Sequence, residues 1–341
     1  MNPIDQLRAA RPAHLDTPLD PATRTAELTH AMAGPRQRRR RSVRLPVWGL
    51  GLGGAAAAAT AVAVLVAGSP APRAPSVALP SPTFPAFSAR TVLLAAAERA
   101  ERAPAASGDW WHTVGVRRTL FQAVDGDYTV MDRQRIESWT PSATGKDQWS
   151  RTQTLGAEPV DRAAWERAGS PREIVVKVDR KKPLPLSVEP GKVDVGHAPL
   201  VDGDKVFWLG RNVTMDDLRG LPSSPDGLKA WLLRSYKGHD TESDRPMGSD
   251  KWLFAVTVGL VMDMPVTPRV RGAAFRMLAD LDTIKVTPDV ADAEGRRGTA
   301  VALDGERLII DEAAGVPLAQ ESPRSSYVVL ESTWTDTPPS R

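Results

Sequence analysis

The stretch that decides the fold runs WWHTVGVRRTLF (110–121), YTVMDRQRIESW (128–139) and QWSRTQTL (148–155). Each segment is rich in aromatic and β-branched side chains, which suit a pleated, half-buried surface. The links between them, AVDGD (123–127) and PSATGK (141–146), carry the Gly, Asp, Ser and Pro of tight turns. Three such segments joined by short turns predict an antiparallel meander with one face toward water.

Working outward, SARTVLLAAAERAER (88–102) predicts a helix: Ser88 caps it, Leu93, Leu94, Ala97 and Ala100 share a side, and Glu98 and Arg102 pair at i, i+4. Downstream, Asp161–Ala168 is expected as a short helix and Lys205–Leu209 as a strand. Helical pieces punctuated by Pro222, Pro225, Pro246, Pro265 and Pro268 are then expected across about 212–282. Within them LFAVTVGLVM (253–262) is too short to cross a bilayer and is expected as a core helix. Strand patterns return at 283–287, 299–303, 307–311, 316–321 and 327–334, joined by VADAEGRRG, LDGE and DEAAG. Strands, a helical insertion and strands again imply an α+β domain with an antiparallel sheet.

The N-terminal quarter differs. VWGLGLGGAAAAATAVAVLVA (47–67) carries no charge, and at ~1.5 Å per helical residue it matches a hydrocarbon core of about 30 Å. Lipid offers no partner for backbone polar groups, so the stretch is expected as a transmembrane helix within 45–68. Arg36, Arg38, Arg39, Arg40, Arg41 and Arg44 precede it, and Trp48 stands where an interfacial anchor belongs. By the positive-inside rule residues 1–44 form a basic cytoplasmic tail and the rest is extracytoplasmic. Residues 69–87 hold six prolines and predict an extended linker, reaching roughly 50 Å at ~3.1 Å per residue. The domain follows over 88–341.

Charge and composition exclude several function classes. The net charge is +3, but the tail alone has nine Arg against four acids, so the remainder is slightly acidic and no nucleic-acid partner is expected. The absence of cysteine removes disulfides, thiolate metal sites and thiol nucleophiles. Nucleophile-elbow, phosphate-loop, dinucleotide and zinc-protease motifs are all missing, so no catalytic residue, cofactor or metal site is expected and the chain reads as a non-enzyme. His239 stands near Asp240, Glu242 and Asp244, yet the spacing is wrong for a calcium loop and a solvated loop is the better reading. Asp216 and Asp217 follow Thr214 and fit the first turn of a helix better than a catalytic pair. Nine of the ten tryptophans fall beyond residue 100; most suit a core, and Leu93, Leu94, Trp110, Trp139 and Trp149 are candidates to line an apolar pocket.

LRAARP (7–12), the Arg-flanked span, TPRVRGAAFRMLADLDTIKV (267–286), VADAEGRRGTAVAL (290–303) and RLIIDEAAGVPLAQE (307–321) together resemble a family of single-pass membrane proteins of high-GC Gram-positive bacteria. Members often accompany extracytoplasmic-function sigma factors, which implies a regulatory role and a cytoplasmic sigma factor or other regulator as partner of the tail. The hairpin around Asp311–Gly315 is similar to those of LolA/LolB-like lipoprotein carriers. That likeness implies a curved antiparallel sheet, a half-barrel with an apolar concavity, and a lipid or lipoprotein ligand. The combined expectation is a membrane-anchored extracytoplasmic sensory or regulatory protein, with a lipid or lipoprotein carrier as the alternative.

Overall fold

A computed structural model describes residues 88–178, 182–240 and 245–339. The expected span at 45–68, the tail at 1–44 and the linker at 69–87 lie outside the described residues. Helix α1 (Ala89–Arg102) is followed by strands β1 (Trp110–Gln122), β2 (Thr129–Pro141) and β3 (Gln148–Pro159) and the short helix α2 (Arg162–Arg167). Strands β4 (Glu173–Val176), β5 (Leu184–Ser187), β6 (Asp194–Ala198), β7 (Lys205–Trp208) and β8 (Asn212–Thr214) come next. Helices α3 (Met215–Arg219), α4 (Pro225–Leu233), α5 (Ser249–Asp263) and α6 (Pro268–Ala279) follow. Strands β9 (Lys285–Ala291), β10 (Arg297–Leu303), β11 (Glu306–Asp311), β12 (Val316–Ser322) and β13 (Ser325–Thr335) end the chain.

These elements correct the expected α+β class with its transmembrane helix. The described part is mostly β, built on one nine-stranded antiparallel sheet in the order β6-β3-β2-β1-β13-β12-β11-β10-β9. Among the described residues no helix is long and apolar enough to cross a membrane. The expected helical insertion is broken by prolines into short pieces, the longest being the 15 residues of α5. Three further strands, absent from the expected set, stand between 173 and 198. They are short, Glu173–Val176, Leu184–Ser187 and Asp194–Ala198, and the last contains Gly196 and His197 on a largely exposed edge. Pairing to β3 makes β6 a strand; its own propensity does not.

The sheet is closed at its centre by pairing β1 with the C-terminal β13, Trp111 opposite Trp334 and Arg117 opposite Tyr327. Successive side chains point to opposite faces, so this register fixes two unlike surfaces. Trp111, Tyr327, Val329, Val301, Leu303, Leu308 and Ile310 join the helices in the main core, with Trp252, Phe254 and Phe275 nearly or wholly inaccessible. We call this the helix side. The alternate residues Ala300, Ile309, Ala319 and Val328 form a smaller cluster on the far face.

Local chemistry explains the helix side. Ser88 Oγ accepts from the Thr91 amide at 3.1 Å and starts α1, whose Val92, Leu93, Ala96, Ala97 and Ala100 are buried. Small alanines let α1 approach α6, and Arg276 clamps Glu101 through two bonds of 3.1 and 2.9 Å. At the β11–β12 turn Gly315 has φ +67 and sits against α1: a Cβ there would come within 2.6 Å of the Ala100 nitrogen. Thr214 and Asp217 exchange reciprocal 2.9 Å bonds, the capping box that starts α3 and accounts for the acidic pair at 216–217. Helix α5 is apolar on nearly all sides because it is enclosed.

Phe275 is fully buried between the sheet and its neighbouring helices. Phe275→Ala should cost about 3–5 kcal/mol of unfolding free energy, whereas Leu330→Ala at an exposed site should stay within about 0.5 kcal/mol. Urea denaturation of the two variants beside the parent checks this.

Candidate functional site

The far face has two ends. At one end, rings from four adjacent strands form a row. His112 lies opposite Trp139, Trp139 opposite Trp149, and Trp149 opposite His197. His112 stacks on Trp139 and Trp149 on His197, both with ring centroids 4.7 Å apart. Charges frame the row: His112 lies 3.0 Å from Glu137 and 3.5 Å from Glu331, the Arg151 guanidinium stands 5.3 Å above Trp139, and His197 lies 2.6 Å from Asp147. The rings therefore satisfy one another and fasten the edge strand β6 to the sheet.

Of the five residues nominated for an apolar pocket, Trp110, Trp139 and Trp149 stand at this end of the far face. Leu93 is sealed in the helix-side core and Leu94 is half-buried on α1. The sheet divides the five, so they do not meet around one cavity. Arg36, Arg38, Arg39, Arg40, Arg41, Arg44 and Trp48 lie outside the described residues.

The opposite end of the far face is basic. Arg118 on β1 lies directly opposite Arg133 on β2, and Arg135 is two residues further along β2 on the same face. Like charges in direct register repel, so the pair needs a counter-charge. It is only partly supplied. Arg118 Nη2 donates to the Glu294 carboxylate at 2.6 Å and to the Ala293 carbonyl at 3.2 Å, but its Nη1 is buried with no partner among the described residues. Arg133 Nη1 is 3.5 Å from Glu158 while its Nε is buried and likewise unmatched. A buried donor left unmatched costs about 1–3 kcal/mol, so this arrangement is expensive for the fold alone.

The one acid that reaches Arg118, Glu294, comes from the β9–β10 turn, which is folded over the far face. Asp292 accepts from the backbone of Glu294 and Arg296 at 2.9 Å, and Arg296 donates to the Leu318 carbonyl at 3.0 Å. That carbonyl is free because the β11–β12 ladder shifts register between Ile309 and Ile310 and leaves Leu318 out of the pairing.

Just beyond the arginine pair the face opens into a cleft of about 430 Å³. Its walls are Leu120 and Met131 from the ends of β1 and β2, Arg307 and Glu321 from β11 and β12, and the β12–β13 turn with Ser322, Arg324, Ser325 and Ser326. Glu321 is held by Arg307, whose Nε donates to it at 2.9 Å, so the one acid of the cleft is already neutralised. Arg324 is exposed and its guanidinium has no polar partner among the described residues.

On the helix side the notable charges are enclosed. Burial pushes the Asp263 carboxyl, at the end of α5, up to about 7 against the pull of Arg117, and burial, with a smaller push from the Asp263 charge, raises the Tyr327 hydroxyl. Trp111 Nε1 donates to the Asp263 carbonyl at 2.7 Å and fixes the helix end to β1. Burial raises Glu306 to about 6, with Lys251 and Gln320 opposing. Arg271 is lowered by burial alone and its Nε is unmatched. Among the described residues no group of three or more His, Cys, Asp or Glu could hold a metal. His239 Nδ1 lies 2.8 Å from the Asp240 carbonyl, and Glu242 and Asp244 lie outside the described residues.

Comparison with family models, curated proteins and solved structures returns no match to this chain. The arginine end therefore stands on its own geometry. It escapes a motif search because its residues come from strands far apart in sequence. One signal was present: Arg133 and Arg135, spaced by two in a strand pattern, had to share a face.

The buried acids set the pH response. The folded-state values of Asp263 and Glu306 lie above the unfolded ones, so the native state holds protons that the unfolded chain has released. Stability should thus fall as pH rises from about 4 to 7 and level off above, and Asp263→Asn should flatten the decline. Thermal melts between pH 5 and pH 8 check it.

Proposed function

We propose that this chain is a membrane-anchored extracytoplasmic sensory or regulatory protein, non-enzymatic, whose receptor surface is the far face of the sheet. The observation that carries the reading is the unlike treatment of the two faces. The helix side is packed with Trp252, Phe254 and Phe275, whereas the far face ends in an open cleft beside arginines that the fold leaves partly unmatched. Surfaces that carry unmatched charge at a cost to stability are characteristic of binding sites.

The sequence supplies the rest of the argument. The uncharged residues 47–67 with their arginine flank hold the protein at the cell membrane with the N-terminus inside, and the proline-rich residues 69–87 space the domain from the lipid. Residues 1–44 are too poor in apolar side chains to bury a core, so they act by engaging a partner, a cytoplasmic sigma factor or another regulator. The filled helix side gives no support to a lipid or lipoprotein carrier.

Two measurements test the reading. The full chain should sediment with membranes through an alkaline carbonate wash, and protease added to spheroplasts should digest residues 88–341 while a tag at the N-terminus is protected. Deletion of residues 2–44 should change the transcripts controlled by one sigma factor. A chain recovered in the carbonate supernatant, or a transcript profile unaffected by the deletion, overturns it.

A further inference from the structure

We infer that the cleft at the β12–β13 turn binds an oxyanion of the phosphate class, a phosphate monoester or diester. The inference rests on the reading of the far face as a receptor surface and names the ligand that surface takes.

Donors outnumber acceptors around this cleft. Arg324 reaches into it from the turn with no polar partner among the described residues. Ser326 adds a hydroxyl on the same wall, while the Ser322 and Ser325 hydroxyls lie 2.9 Å apart and bond to each other. Ser326 is also the register partner of Arg118, which ties the cleft to the arginine pair behind it. Arg118 and Arg133 stand one pair along from Leu120 and Met131, on the same face, so their charge is felt in the cleft through two strand spacings at most. The acids present are all engaged: Glu321 by Arg307, Glu294 by Arg118 and Glu158 by Arg133. Arg135 is exposed and adds a further positive charge on the approach.

The unpaired guanidinium of Arg324 on the turn, with a hydroxyl beside it and Arg307 on the facing strand, suits an anion with acceptors in all directions. A tetrahedral phosphate meets that description. A planar carboxylate presents one edge, and Glu321 already takes the equivalent position on Arg307. The volume of about 430 Å³ admits a phosphate with a small alcohol attached, and the opening to solvent lets a longer chain continue outward.

Arg324 is the residue to change, because it is exposed, sits in a turn and makes no side-chain bond that folding would lose. The full-length chain in phosphatidylcholine nanodiscs is titrated with inorganic phosphate by calorimetry. Arg324→Glu should weaken binding at least tenfold, and Arg133→Gln should weaken it severalfold. Arg162→Glu, a charge change on the exposed face of α2, should leave it within twofold. Nanodiscs doped with phosphatidylglycerol separate the sources of the anion. A headgroup that occupies the cleft lowers the apparent affinity for inorganic phosphate, whereas a soluble phosphate or phosphodiester ligand leaves it unchanged. Absence of phosphate binding in both kinds of nanodisc, or equal binding by Arg324→Glu and the parent, overturns the inference. Phosphate binding that persists when deletion of residues 2–44 leaves transcription unaffected overturns the sensory reading alone.

Discussion

The pleat of strand β1 sends neighbouring residues into opposite surroundings, and the rest of the molecule is arranged to satisfy both. Trp111 and Arg117 face the helices, where the indole anchors the end of α5 and the guanidinium lies near Asp263. Trp110, His112 and Arg118 face away from them, into the ring row and the arginine pair. Pairing with β13 locks the alternation, since a slip of one residue would exchange every side chain between a hydrophobic core and a charged surface. A tight contact in this pair suits the same register: the Tyr327 ring lies over Gly115, where a Cβ would come within 2.5 Å of it.

The two faces differ in how they treat charge. On the helix side Asp263 is enclosed with a single nearby cation, and burial wins, so its proton is held to about pH 7. On the far face solvent and counter-ions remain close, and arginines that the fold does not fully pair persist beside an open cleft. Enclosure turns a charge into a term in stability; beside an open cleft the same charge also raises the potential that a ligand meets. The turn between β9 and β10 narrows that difference by laying Glu294 over Arg118.

Most strand positions along the chain were legible because they are written in short-range pattern. The three strands at 110–155 and the five at 285–335 are rich in β-branched and apolar residues and are separated by short turns, most of them bearing Gly or Asp. The helix from Ser88 was equally plain, capped and with alanines along one side. The balance of the fold was less so. The α+β class overweighted the proline-broken segments between 212 and 282 and overlooked β4, β5 and β6, of which β4 is a short β-branched run and β6 owes its form to pairing with β3.

The site lay further from reach, because its arginines belong to strands separated by up to about two hundred positions and no local motif unites them. The distribution of charge, the lack of cysteine chemistry, the uncharged stretch at 47–67 and the period-two segments can be read from the residues alone, since composition and local pattern need no fold. Strand pairing is what puts Arg118 and Arg133 in register, sends Trp139 and Leu93 to opposite faces, and opens a cleft at the β12–β13 turn. These depend on which strand pairs with which. That choice is fixed by closing β1 against β13 across the whole length of the domain, a long-range contact whose cost in chain entropy is recovered only when the full core is buried.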